Sequence, residues 1–171
     1  MISPTVGRHL AAVLVVVLTV GGCSFSTSAD DETVRSDDGA VVEGGDVGAL
    51  RLRIGDCIAA VSSAEQFTSL PVVPCDEPHE AQVFHALSLT GDDYPGMAEV
   101  DRQADEACAA ALIDELSHRQ DLFELAYAFF TPTESGWNDL ADRDVLCVAA
   151  FPGRDTTTDL LDTSVTGEAG N

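Results

Sequence analysis

Lysine is missing altogether: all eight basic residues are arginine, set against 30 acidic ones for a formal net charge of −22. A surface so short of positive charge cannot neutralise phosphates, which excludes nucleic acid as a partner. An anionic membrane would repel it too, so attachment to one has to come from lipid rather than from charge. No Cys-x-x-Cys pair occurs, so the usual zinc-ribbon spacing is missing. No Asp-x-Asp-x-Asp-Gly loop with a distal Glu is present, which leaves Asp92-Asp93 and the linker acids as solvated charge rather than a calcium site. Neither Gly-x-Ser-x-Gly nor a free Cys with a His partner appears, so nucleophilic catalysis has no recognisable motif. The apolar run Leu10 to Val20 is too short to span a bilayer, which takes about 20 residues at helical rise.

That run is followed by Val20-Gly21-Gly22-Cys23 and preceded by Arg8. A positive start, an apolar stretch and small residues ahead of a cysteine read as a lipoprotein signal peptide over residues 1–22. The expectation is cleavage before Cys23, lipidation of Cys23, and a protein anchored on the extracytoplasmic face of the cell membrane. The other four cysteines, Cys57, Cys75, Cys108 and Cys147, form an even set in an exported chain. They read as two disulfides, with three pairings open.

Residues 24–49 are rich in Ser, Thr, Gly and Asp, with Arg35 the single cation. Lacking periodicity, residues 23–49 read as a lipidated cysteine plus a disordered acidic tether, with a reach of about 25–30 Å. Residues 153–171 read as a disordered tail, which leaves one domain over residues 50–152. Within it, Leu50, Leu52 and Ile54 alternate with Arg51 and Arg53, a half-buried strand. The apolar run Leu70-Pro-Val-Val-Pro74 suits an edge or terminal strand rather than a central one because of its prolines. From Ala81 to Leu89 both alternating sets carry bulk, which predicts a strand covered on two faces. Val100, Ala104, Cys108, Ala111, Leu112 and Leu116 recur at helical spacing, predicting the main helix over residues 97–118 with Cys108 on its apolar side. Strands follow at Phe123 to Phe129 and at Val145 to Phe151. The fold class expected is α+β: a small antiparallel sheet with one main helix, stapled by two disulfides. One bridge would rivet the helix to the last strand and the other would join the first two strands.

The ordered motifs carry a resemblance. Gly55-Asp56-Cys57-Ile58, Pro74-Cys75-Asp76-Glu77-Pro78-His79-Glu80-Ala81-Gln82, Tyr94-Pro95-Gly96, Cys108, Pro132 with Trp137, and Asp142-Arg143-Asp144-Val145-Leu146-Cys147 resemble the septum formation domain family over residues 54–149. The Pro-Cys-Asp-x-Pro-His segment is the most specific of these. The resemblance implies an exported or membrane-anchored actinobacterial envelope protein linked to division, with no catalytic activity to transfer and no cofactor. One departure is Ala141, where the family tends to place Gly ahead of Asp-Arg.

Asp76, His79 and Glu80, with His85 on the next strand, are the residues from which an acid–base or metal cluster could be made. The architectural reading is favoured: prolines at 74 and 78 make a rigid turn in which Asp76 bonds backbone amides and His79 caps. Asp142-Arg143 suggests an ion pair, with Arg143 gripping Asp56 or Asp76 beneath Trp137. Tyr127, Phe129, Phe130 and Trp137 read as core aromatics, with a groove rim as the alternative. The function expected is a non-enzymatic envelope protein held to the membrane through lipid on Cys23, binding an unknown envelope protein or wall component. Its rivals are a small-ligand-binding lipoprotein with a cavity lined by Phe84, Tyr127 or Trp137, and a hydrolase using the His79/Asp76 region.

Overall fold

The computed structural model describes residues 33–61 and 68–163. Its elements run β1 (Val34–Arg35), β2 (Val41–Glu43), β3 (Gly45–Gly48), β4 (Cys57–Ile58), β5 (Ser69–Val73), β6 (Ala81–Ser88), α1 (Met97–Leu116), β7 (Ala126–Phe130), α2 (Glu134–Asp139) and β8 (Asp144–Ala150). Strands β1 and β2 form a separate hairpin, and the others make one sheet in the order β3-β5-β4-β6-β8-β7, antiparallel at every pairing. This is the α+β fold expected. The bridges are Cys57–Cys75 and Cys108–Cys147, with Cα–Cα separations of 5.3 and 5.5 Å.

Because successive side chains point to opposite sides of a strand, central strands covered twice must be apolar twice. β8 sends Val145, Cys147 and Ala149 toward α1, and Leu146, Val148 and Ala150 toward the other face. On the first face they meet Val100, Ala104, Cys108, Ala111 and Leu116 of the helix. On the second, Val148 joins Val47, Leu52, Ile58, Leu70, Val72 and Val83. β6 is covered on both faces as predicted, but its alternation is not unbroken. A bulge lies between Val83 and His85, where Val83 faces Val148 and His85 already faces Cys147. One extra residue flips the parity of everything after it. Phe84 and His85 therefore both point to the helix side, and His85 Nδ1 lies 3.6 Å from Glu115.

Leu50 to Ile54 is not a strand: residues Ala49–Arg51 form a 3-10 turn, and Leu50 and Ile54 are exposed while Leu52 alone is buried. The cause is Asp56, whose carboxylate accepts the Arg53 N–H at 2.9 Å while its own N–H donates to the Arg53 carbonyl. That closes a turn with Gly55 at φ +96°, a conformation glycine adopts freely. β5 is not an edge strand either, since β3 and β4 flank it. Pro71 is tolerated because β4 ends at Ile58. The Pro71 carbonyl accepts Ala59 N–H just past that end, so the N–H that Pro71 lacks falls beyond the last residue pair of β4.

The domain is larger than residues 50–152. From Thr33 onward the acidic stretch is folded: β3 pairs with β5 along its whole length and Val47 is 1% exposed. Past Pro152, Thr156 forms an antiparallel bridge with His79, and Leu160 is 1% exposed in the helix-side core. Residues 1–32, with the signal-like run and Cys23, and residues 164–171 lie outside the described part.

Candidate functional site

The Gly-Asp-Cys and Pro-Cys-Asp-x-Pro-His motifs meet at one junction, and the meeting is covalent through Cys57–Cys75. Asp56 is 1% exposed and so needs a countercharge. It finds one in Arg35, whose guanidinium donates to both carboxylate oxygens at 2.6 and 3.0 Å. The two-pronged geometry matches a planar fork to a carboxylate, and with the Arg53 N–H it occupies the anion fully. The pair expected between Arg143 and Asp56 or Asp76 does not form: Arg35 already fills the Asp56 carboxylate, and Asp76 is exposed to solvent.

His79 is fully buried, and its Nδ1 lies 2.8 Å from the Glu77 carbonyl. Its backbone exchanges two hydrogen bonds with Thr156, both 2.9 Å. Three residues on, Gln82 is equally buried in the middle of β6. Its carbonyl oxygen accepts the Leu160 N–H at 2.6 Å and its amide donates to Asp159 Oδ1 at 2.7 Å. Asp56 thus holds the segment that enters the domain, while His79 and Gln82 hold the segment that leaves it. Sequence alone does not connect Arg35 to Asp56, or Asp159 and Leu160 to Gln82, although Arg35 leaves a signal as the lone cation in an acidic run.

The second motif group surrounds Trp137, 1% exposed on α2. Its indole N–H donates to the Asp92 carbonyl at 3.1 Å, and Tyr94 meets its ring edge-on with centroids 5.8 Å apart. Arg143 lies over the ring at 3.8 Å and donates to the carbonyls of Trp137 at 2.8 Å and Gly91 at 3.2 Å. Close to Trp137 as expected but stacked on its indole, Arg143 binds backbone oxygens instead of an acid, tying the loop after β6 to α2. Ala141, the departure from glycine, sits at φ +54°, the left-handed region. There it lets the Asp142 N–H reach back to the Gly136 carbonyl at 3.0 Å.

Of the side chains named for acid–base work, Asp76 is exposed and the other three make contacts elsewhere. Glu80 accepts the Val61 N–H at 2.6 Å, His85 faces Glu115, and His79 holds the Glu77 carbonyl. Among the described residues no group of three or more His, Cys, Asp or Glu could hold a metal ion. Phe84 and Trp137 are core residues. Among the described residues a concavity of about 540 Å³ forms an open groove on the sheet face away from α1, lined by residues that include Ala126, Ala128, Val148, Ala150, Tyr127 and Phe130. Among the described residues no helix is long and apolar enough to cross a membrane.

No curated protein and no solved structure matches the sequence. The family description "Septum formation" does, over residues 22–126 and again over 54–169. These stretches take in both flanking segments that the motif residues grip, and with nearly all of the folded part matched, the chain belongs to the septum formation family.

Proposed function

We propose that this protein is a non-enzymatic, lipid-anchored module on the extracytoplasmic face of the membrane that binds a protein or wall component during septum formation. Family membership supports the link to septation, and fold kinship by itself assigns no chemistry. The observation that carries the binding reading is how the buried polar residues are used. The side chains of Asp56 and Gln82, and the backbone and Nδ1 of His79, are committed to segments of the chain itself, so the motifs build a platform rather than a pocket. Two disulfides suit an oxidising compartment, and Val20-Gly21-Gly22-Cys23 supports a lipid on Cys23.

Metabolic labelling with a clickable fatty acid, read beside microscopy of a fluorescent fusion in dividing cells, tests this reading. Label on the full chain, its loss in Cys23→Ala, and enrichment at the septum are expected. An unlabelled protein, or one spread evenly around the envelope, contradicts it.

A further inference from the structure

The two margins of the six-stranded sheet are unlike. β3 is four residues long, begins and ends with glycine and carries Asp46. Short, charged, glycine-bounded edges resist pairing with another strand. β7, Ala-Tyr-Ala-Phe-Phe, contains no charge, proline or glycine, and among the described residues it pairs with β8 alone. Such an edge offers its outer row of backbone N–H and C=O groups to an added strand.

The surroundings of β7 say what strand would fit. On the groove side, Ala126 and Ala128 are exposed beside Val148 and Ala150, a shallow apolar floor. On the helix side, α1 sets carboxylates against the strand: Asp105 accepts the Tyr127 hydroxyl at 2.9 Å and Asp101 accepts Thr131 at 3.4 Å. The field there is negative. The Asp105 hydrogen bond, burial and charge together hold the Tyr127 hydroxyl above its ordinary range, and burial, then Asp101 and Glu134, raise Tyr94. The cation at the groove, Arg154, is paired with Glu124 at 2.9 Å and stacked on Phe151.

We propose that the β7 edge takes an extended segment of a partner protein in which apolar and basic residues alternate. Side chains of an added strand point alternately to the two faces, so one set would lie on the groove and the other would meet Asp101 and Asp105. A second copy of this chain does not fit. Each copy carries −22, and its one alternating apolar–basic run, Leu50 to Ile54, is locked into the Asp56 turn. The inference rests on the binding reading above and names its surface.

The probe is a synthetic seven-residue peptide alternating valine and arginine, titrated into the full chain. Its control is the same peptide with alternate backbone amides methylated, which keeps charge and shape but removes strand pairing. Binding weakened about tenfold by methylation, and again by Asp101→Asn with Asp105→Asn, is expected, with slowed amide exchange confined to residues 126–130. Equal binding of both peptides, or slowed exchange elsewhere, overturns the proposal. In cells, Phe129→Pro removes an outward N–H from the edge, because Ala128 pairs with Val148 and so the outward backbone groups are those of Tyr127 and Phe129. If that variant melts like the parent and loses its septal crosslinks, the proposal stands. If it is septal with unchanged crosslinks, this inference fails while the septal reading survives, whereas a parent protein that is not septal removes the reading itself. If the variant does not fold, the peptide comparison decides.

Discussion

The two cysteine bridges do different work because they sit in different company. Cys108–Cys147 is surrounded by apolar side chains, fixing α1 to the middle of the sheet where Val100, Ala104, Leu116 and Phe84 already pack. Cys57–Cys75 stands among polar contacts: Gly55, Asp56 and Gln82 are its neighbours, and through them the chain's two flanks are attached. The first region is stabilised by area removed from water, which tolerates imprecision in direction. The second depends on directional bonds to buried groups, where losing one partner leaves the other stranded. The Gly-Asp-Cys and Pro-Cys-Asp-x-Pro-His motifs fall in the second region, where directional contacts demand particular side chains.

The contrast can be broken at several depths. Cys108→Ala with Cys147→Ala opens a loop of 39 positions and should cost about 4 kcal/mol, read as the fall in urea midpoint. Arg35→Met strands the Asp56 carboxylate and should cost about 3 kcal/mol, although Arg35 lies in a stretch that reads as linker. A matching Asp56→Asn should recover part of that loss, which a double-mutant cycle would record. Gln82→Leu leaves the Leu160 N–H without its acceptor, and about 2 kcal/mol should disappear while both bridges remain intact by mass spectrometry. Ala141→Gly relieves a left-handed alanine but frees the unfolded chain, for a net gain of about 0.5 kcal/mol in calorimetry.

The smallest effect belongs to the solvated side of α1. There Arg102 holds the Glu99 carboxyl at about 2, through hydrogen bonds first. Arg102→Gln should raise Glu99 toward the ordinary carboxylate range in a carbon-13 NMR titration, with the Gln103 hydrogen bond still holding it below. The melting temperature should stay unchanged, since exposed pairs add little. A depressed carboxylate favours folding above its unfolded pKa and loses that contribution as pH falls toward 2, so any trace of this pair appears only in acid.

The apolar part of the fold was legible and much of the polar part was not. Val100, Ala104, Cys108 and Ala111 announce α1 because a helix repeats, and β6 announces two covered faces because a strand alternates. Composition misled at both ends. Residues 33–49 have a linker's content, yet a single arginine reaching a buried Asp56 and a single valine at position 47 secure them. Thr156 and Leu160 are held by backbone bonds and by one glutamine 78 positions away, which no local pattern records. The site residues divide in the same way. Arg143 lies beside Trp137 as the motif order suggests, but its partner is not the acid expected, because any arginine suits a carboxylate and only geometry chooses among them.

Native-state hydrogen exchange reads the central claim most directly: that Asp56, His79 and Gln82 bind both flanks into one cooperative unit. The Thr156 and Leu160 amides should exchange as slowly as those of β6 and β8, with opening energies close to global unfolding. Exchange of those two amides at unprotected rates, while β6 and β8 stay closed, would contradict it.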